Sequence, residues 1–174
     1  MSQQDIQGFY ADHPKLASLT AELNHQQPNA YCLNGLVGSA KSLLITELFK
    51  QTELPFLLIM EDKEQAAYYL NDLERLIGEK NVLFYPGSYR RPYQLEETDN
   101  ANVLFRAEVL NRINSRKKPS VILTYPEALS EKVITKKELN KSILELKVGQ
   151  EIDSEFINEA LFEYHFERVD FVTE

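Results

Sequence analysis

The sequence is poor in several things whose absence narrows its function. It holds a single cysteine, Cys32, so no intrachain disulfide can staple it. Its longest apolar runs, such as Phe56-Leu57-Leu58-Ile59-Met60, fall far short of the roughly 20 residues that span a bilayer. Residues 1–14 lack the basic and apolar regions of a secretory signal, so a cytoplasmic location is expected. Positive charge is not in excess: the net charge of −8 argues against wholesale, sequence-independent binding to nucleic acid. There is no internal repeat and no low-complexity stretch. A cysteine nucleophile would need a partner base, and His13, His25 and His165 stand in no pattern with Cys32. Within Ala30-Tyr31-Cys32-Leu33 the expected role is a core thiol in a strand.

What remains is a globular composition, 43% hydrophobic and 26% charged over 174 residues, enough for one well-buried domain and a small appendage. The charge is uneven. Residues 1–111 carry a net −6, residues 112–147 a net +5 and residues 148–174 a net −7. The basic middle block could meet phosphate or an acidic partner, although such runs are commonly solvated faces.

Apolar spacing predicts a helix over 11–25, capped by Asp12 with Pro14 in its first turn, then a short buried strand over 29–33. A helix over 42–50 follows, then a strand over 56–60 and a helix from the cap at Asp62 to Ile77, stopped by Gly78. The pattern continues with a strand over 81–85 and a helix capped by Thr98 or Asp99 and running to Ser115. A strand over 121–125 closes the series. Repeated strand–helix units with continuous apolar strands indicate an α/β fold, a parallel sheet with helices on both faces. Past Pro126 the pattern changes. Residues 143–148 and 168–172 alternate like half-buried strands, around a helix capped by Asp153 or Ser154. So small a strand–helix–strand unit cannot make its own core. The expected division is residues 1–130 and 131–174, with a natural start at Met1 and a second domain cut short.

One motif carries chemistry. Gly35-Leu36-Val37-Gly38-Ser39-Ala40-Lys41-Ser42 nearly matches the P-loop pattern G-x-x-x-x-G-K-[ST], after an expected strand and opening an expected helix. So loose a match arises by chance in about one chain in a hundred of this size, before that context is counted. The loop works by wrapping backbone N–H groups around phosphates at a helix N-terminus. Lys41 would reach the terminal phosphates and Ser42 would hold magnesium. The sixth position must let the backbone approach closely, and here it is Ala40. Its methyl costs roughly 1 kcal/mol if φ is positive there, and it intrudes on the phosphate space. Glu61 and Asp62 follow an apolar strand, as a magnesium-binding acid would, but their place favours capping the next helix.

These pieces, taken in order, resemble a known family. The segment from Gly35 to Ser42, with 55–60 and Ala66-Ala67-Tyr68-Tyr69-Leu70, resembles the first helicase motifs of a UvrB-like domain. Residues 81–86 with the loop from Tyr89 to Tyr93 resemble its next strand and exit loop, and 121–129 the strand after the long helix. Residues 146–170 look like the start of the second domain of the bacterial transcription-repair coupling factor (Mfd) family. UvrB itself inserts a Tyr-rich hairpin after the third strand, and the dozen residues between Tyr85 and Thr98 leave no room for one. UvrB also keeps an intact P-loop where coupling factors have lost theirs, which fits Ala40, although Lys41 and Ser42 are retained.

The resemblance implies a P-loop, helicase-like scaffold with a degenerate nucleotide site at Gly35, Gly38, Ala40, Lys41 and Ser42, and no catalytic residue. It implies no cofactor for this chain, ATP and Mg2+ belonging to the motor of the full-length parent. It implies UvrA as partner, met mainly beyond Glu174 with only the flank between Ile143 and Val172 present here. RNA polymerase and double-stranded DNA would be bound by other parts of the parent. The residues leave two alternatives. One is a working P-loop enzyme that binds nucleotide through Lys41 and Ser42. The other is a DNA-contacting module using Tyr89, Arg90, Arg91 and Tyr93 with the basic block, since interleaved aromatic and basic residues suit single strands.

Overall fold

A computed structural model describes residues 3–25, 27–89, 99–115, 118–133, 135, 137–138 and 148–163. The chain divides into two compact units, Met1–Lys132 and Val133–Glu174.

The first unit is α/β. Among the described residues its sheet has three parallel strands, β1 (Phe56–Ile59), β2 (Val82–Phe84) and β3 (Val121–Thr124), in the order β1-β3-β2. Leu57 stands opposite Ile122 in one ladder and Leu83 opposite Ile122 in the other. Among the described residues six α-helices accompany it: α1 (Gln3–Ala11), α2 (Pro14–Asn24), α3 (Ala40–Thr52), α4 (Lys63–Ile77), α5 (Asn100–Ser115) and the short α6 (Pro126–Ser130).

The sheet splits the core in two. On one face Tyr69 and Leu73 of α4, with Ile45 and Phe49 of α3, pack on Phe56, Leu58, Val82, Val121 and Leu123. On the other, Val109 and Leu110 of α5 pack with Leu83, Ile122, Tyr85 and Tyr125. Alternate residues of a strand face opposite ways, and β3, in the centre, is buried on both faces. β1 is not. Its burial alternates, and Leu57 and Ile59 are more than half exposed. The expected cover on both faces therefore fails at β1, because α5 lies over β2 and stops short of the outer strand.

Three further expectations are corrected. Residues 29–33 form no strand; they are exposed and unpaired, so Cys32 is an exposed thiol and not a core one. The first long helix begins at Pro14, and its N-cap is His13, whose Nδ1 accepts from Lys15 N at 3.2 Å, in place of Asp12. Ahead of it stands α1, which apolar spacing did not announce. Elsewhere local chemistry acts as expected. Asp62 caps α4 by accepting from Gln65 N at 2.7 Å, and Gly78, at φ 85°, ends it. Asp99 caps α5 through Ala101 N and Asn102 N.

In the second unit, α7 (Ser154–Glu163) is capped by Asp153, whose Oδ1 accepts from Glu155 N at 3.0 Å. Thr135 and Glu138 make a reciprocal capping box, which holds the Glu138 carboxyl below its ordinary range through the N–H and hydroxyl of Thr135. The expected strands over 143–148 and 168–172 lie outside the described residues, apart from Val148, which is exposed in a turn.

Candidate functional site

Glycine-bearing loops at two places could carry function. The first is the P-loop-like segment. Gly35 has φ 84° and Gly38 φ 55°, the left-handed conformation in which glycine lacks the penalty of a Cβ. The two positive-φ turns lead to Ser39, the N-cap of α3, which makes no side-chain cap bond. Ser39 Oγ lies 3.5 Å from Tyr68 Oη of α4. Val37, between the glycines, is 82% exposed.

Ala40 is the first residue of α3, and its N–H donates to Val37 O at 3.2 Å. Its φ is not positive: among the described residues only Glu53, capping α3 at its C-terminus, is a non-glycine with positive φ. The strain expected of a methyl at this position therefore does not arise, and only its bulk toward a phosphate remains. Lys41 is exposed in the first turn of α3. Ser42 is fully buried, and its hydroxyl donates to Asp72 Oδ2 of α4 at 3.0 Å. It serves the α3–α4 contact, and holding a metal would require breaking that bond.

The second place is at the carboxyl ends of β2 and β3, where the loop Pro86–Gly87–Ser88 leaves the sheet. Here a polar network converges on a buried cation. Arg106 of α5 is 7% exposed. Its Nη1 donates to Pro86 O at 2.8 Å and Ala128 O at 3.1 Å, and lies 3.3 Å from Glu131 Oε2. The guanidinium stacks 4.2 Å from the centre of the Tyr85 ring. Glu131 in turn accepts from Ser88 N and Ser88 Oγ. Gly87 N donates to Tyr125 Oη at 2.8 Å, and Asn102 Nδ2 donates to Gly87 O at 2.9 Å. Burial pushes both phenols, Tyr85 and Tyr125, above their ordinary range. A Cβ on Gly87 would come within 2.9 Å of Glu131 Oε1, so a side chain there would displace the carboxylate that Ser88 holds.

A cavity of about 660 Å³ opens beside this network, lined among others by Asp62, Lys63, Tyr89, Tyr125, Glu127 and Glu131. Crevices outside the carboxyl ends of strands are where open α/β sheets take ligands. This one has mixed charge, and among the described residues no group of acids, histidines or cysteines is arranged to hold a metal.

The structure thus brings Gly35, Gly38, Ala40, Lys41 and Ser42 together at the start of α3, with Ser42 turned inward. Arg90, Arg91 and Tyr93 of the expected exit loop lie outside the described residues; Tyr89 lines the cavity. Arg106 and Glu131 were not singled out from the sequence. The signal was available for Arg106: it sits four residues after Asn102 and three before Val109, on the stripe that faces the sheet. Glu131 carries none, because its partners are 25 and 43 positions away.

No protein-family model matches the chain. It is 28% identical over 170 residues to the transcription-repair-coupling factor of Bacillus subtilis (strain 168). The match covers 97% of this chain and 14% of that protein's length. It bears out the resemblance read from the residues. The chain spans about a seventh of the relative it matches. No helix among the described residues is long and apolar enough to cross a membrane.

Proposed function

We propose that this chain is a module of a transcription-repair-coupling factor, that it keeps a P-loop-type scaffold without catalytic duty, and that it helps recruit UvrA for nucleotide excision repair at stalled RNA polymerase. The observation that carries the reading is the similarity along 97% of the chain to such a factor. The geometry at α3 supports the non-catalytic part. Ser42, the residue that would meet magnesium, is engaged by Asp72, and Asp62, one of the two acids that follow β1, caps α4. Strand–helix packing needs no phosphate, so such a site can lapse while the fold persists. On this reading the chain takes no cofactor, ATP and Mg2+ serving the motor of the longer parent. RNA polymerase and double-stranded DNA are met by other parts of that parent, and the setting is the cytoplasm.

The recruitment role is tested by titrating purified UvrA against this chain. Saturable binding is expected. Only the flank between Ile143 and Val172 is present to contribute, so the dissociation constant should lie near 10 μM, roughly −7 kcal/mol. No binding at a tenfold higher concentration would remove UvrA as a partner of this chain. A second reading, a working nucleotide site, is favoured by the positive φ of Gly35 and Gly38 and by the exposed Lys41.

A further inference from the structure

Asparagine can rewrite its own backbone, and whether it does so depends on the residue that follows. The nitrogen of that residue must swing behind the side-chain carbonyl to close a five-membered ring. A Cβ on the following residue crowds the approach, and a hydrogen bond on its N–H opposes it. Of the six glycines, only Gly35 follows an asparagine.

Other described asparagines are held out of reach by their surroundings. Asn71, Asn102 and Asn111 lie inside α4 and α5, where the following N–H belongs to the helical ladder. Asn81 donates through Nδ2 to Ile77 O at 2.6 Å, and Val82 after it is buried at the start of β2. Asn29 is exposed, but Ala30 carries a Cβ, and its N–H is already bonded to Asn29 Oδ1 at 2.8 Å.

Asn34 differs on each count. Asn34 and Gly35 are both exposed. Among the described residues no hydrogen bond takes the Gly35 N–H. Nothing stands within 4 Å of where a Cβ on Gly35 would be, so no neighbour blocks the rotation. The Asn34 amide is held by its oxygen, since Cys32 Sγ donates to Oδ1 at 3.7 Å. That leaves Nδ2, the nitrogen that must depart, to solvent. It also places a donor, although a weak one, on the oxygen where negative charge gathers during attack.

We infer that Asn34-Gly35 is a self-modifying site, at which the chain converts its own asparagine to aspartate and isoaspartate. Gly35 N attacks Asn34 Cγ and gives up its proton. The N–Cγ bond forms, the Cγ–Nδ2 bond breaks, and Nδ2 leaves as ammonia. The resulting succinimide takes up one water. Opening at Cγ leaves an aspartate in an ordinary backbone, whereas opening at the main-chain carbonyl routes the backbone through Cγ and leaves isoaspartate. Water is the sole co-reactant, and nothing is oxidised or reduced. Either product sets a negative charge at the head of the Gly35–Ser39 loop, and isoaspartate also adds a methylene to the backbone ahead of α3. A carboxylate there repels phosphate, so conversion works against anion binding at this loop.

The experiment incubates the purified chain in warm, mildly alkaline buffer, native and unfolded in guanidinium, and follows residue 34 by peptide mass spectrometry. The native chain should convert within about threefold of the unfolded rate, because no protecting structure has to open first. Isoaspartate should be among the products. Gly35→Ala should slow native conversion at least about tenfold, through the added Cβ. Asn34→Gln keeps the glycine and its turn, and it decides the matter if the first variant fails to fold: the acidic form that accumulates on anion exchange must be missing from it. A native chain that keeps Asn34 intact while the unfolded chain converts overturns the proposal. So does an unchanged rate in Gly35→Ala, or an acidic form that persists in Asn34→Gln.

Discussion

Two glycine loops of the first unit are held in opposite ways. The loop Gly35–Ser39 has the sequence of a phosphate cradle but few ties: its tip, Val37, is bare to solvent, and its cap residue makes no side-chain cap bond. The loop Pro86–Ser88 matches no motif, yet a buried arginine, a carboxylate, a phenol and an amide side chain all bond to it. The first would need a ligand to organise it, whereas the second is organised by its own protein. Motif and hydrogen-bonded support therefore reside in different places, which is consistent with the proposal of a lapsed nucleotide site.

The comparison is sharpest where the network is cut. Arg106→Leu leaves Glu131 without its cation and two carbonyls without their donor. Breaking a buried pair on one side costs about 3–5 kcal/mol, so guanidinium unfolding should show the first unit at the margin of stability. Gly87→Ala pushes a methyl against Glu131 and should cost about 1–3 kcal/mol. Tyr125→Phe strands the Gly87 N–H, again at about 1–3 kcal/mol. The matching changes in the other loop should do little. Ala40→Gly, in the first turn of a helix, should lose no more than about 1 kcal/mol, and Val37→Ser should stay within roughly 0.5 kcal/mol. If Val37→Ser proved as costly as Gly87→Ala, the contrast between the loops would be wrong.

Alkaline pH probes the network without mutation. Tyr85 and Tyr125 have raised pKa values in the folded protein. Their contribution to stability is complete below the ordinary phenol value of about 10 and is lost as pH rises through the folded values. Unfolding midpoints should therefore fall above about pH 10, and fall less steeply in Tyr125→Phe.

Much of the fold was legible in the sequence because the signals were local. Asp62 and Gly78 delimit α4, Asp99 caps α5, and the continuous apolar run 121–124 becomes the doubly buried centre of the sheet. What misled was also local. Residues 29–33 have the composition of a buried strand, but burial depends on a neighbour, and no described strand lies beside them. The condition attached to Ala40 is not met because Ala40 is itself the first residue of α3, and the bond from Ser42 to Asp72 joins two helices, which spacing along the chain does not show. The place of Arg106 on the sheet-facing stripe of α5 is legible in the sequence, but the network around it is not, because Pro86, Ala128 and Glu131 are distant in the chain.

The most direct test of a lapsed nucleotide site is calorimetric titration of MgATP, to millimolar ligand, into this chain and its Ala40→Gly variant. A dissociation constant of about 1 mM corresponds to roughly −4 kcal/mol. The account predicts no binding tighter than that by either protein, since Ala40 is unstrained and Ser42 is engaged elsewhere. Binding by the glycine variant alone would make the alanine methyl the disabling change. Micromolar binding by the native chain would contradict the account and put a working nucleotide site in its place.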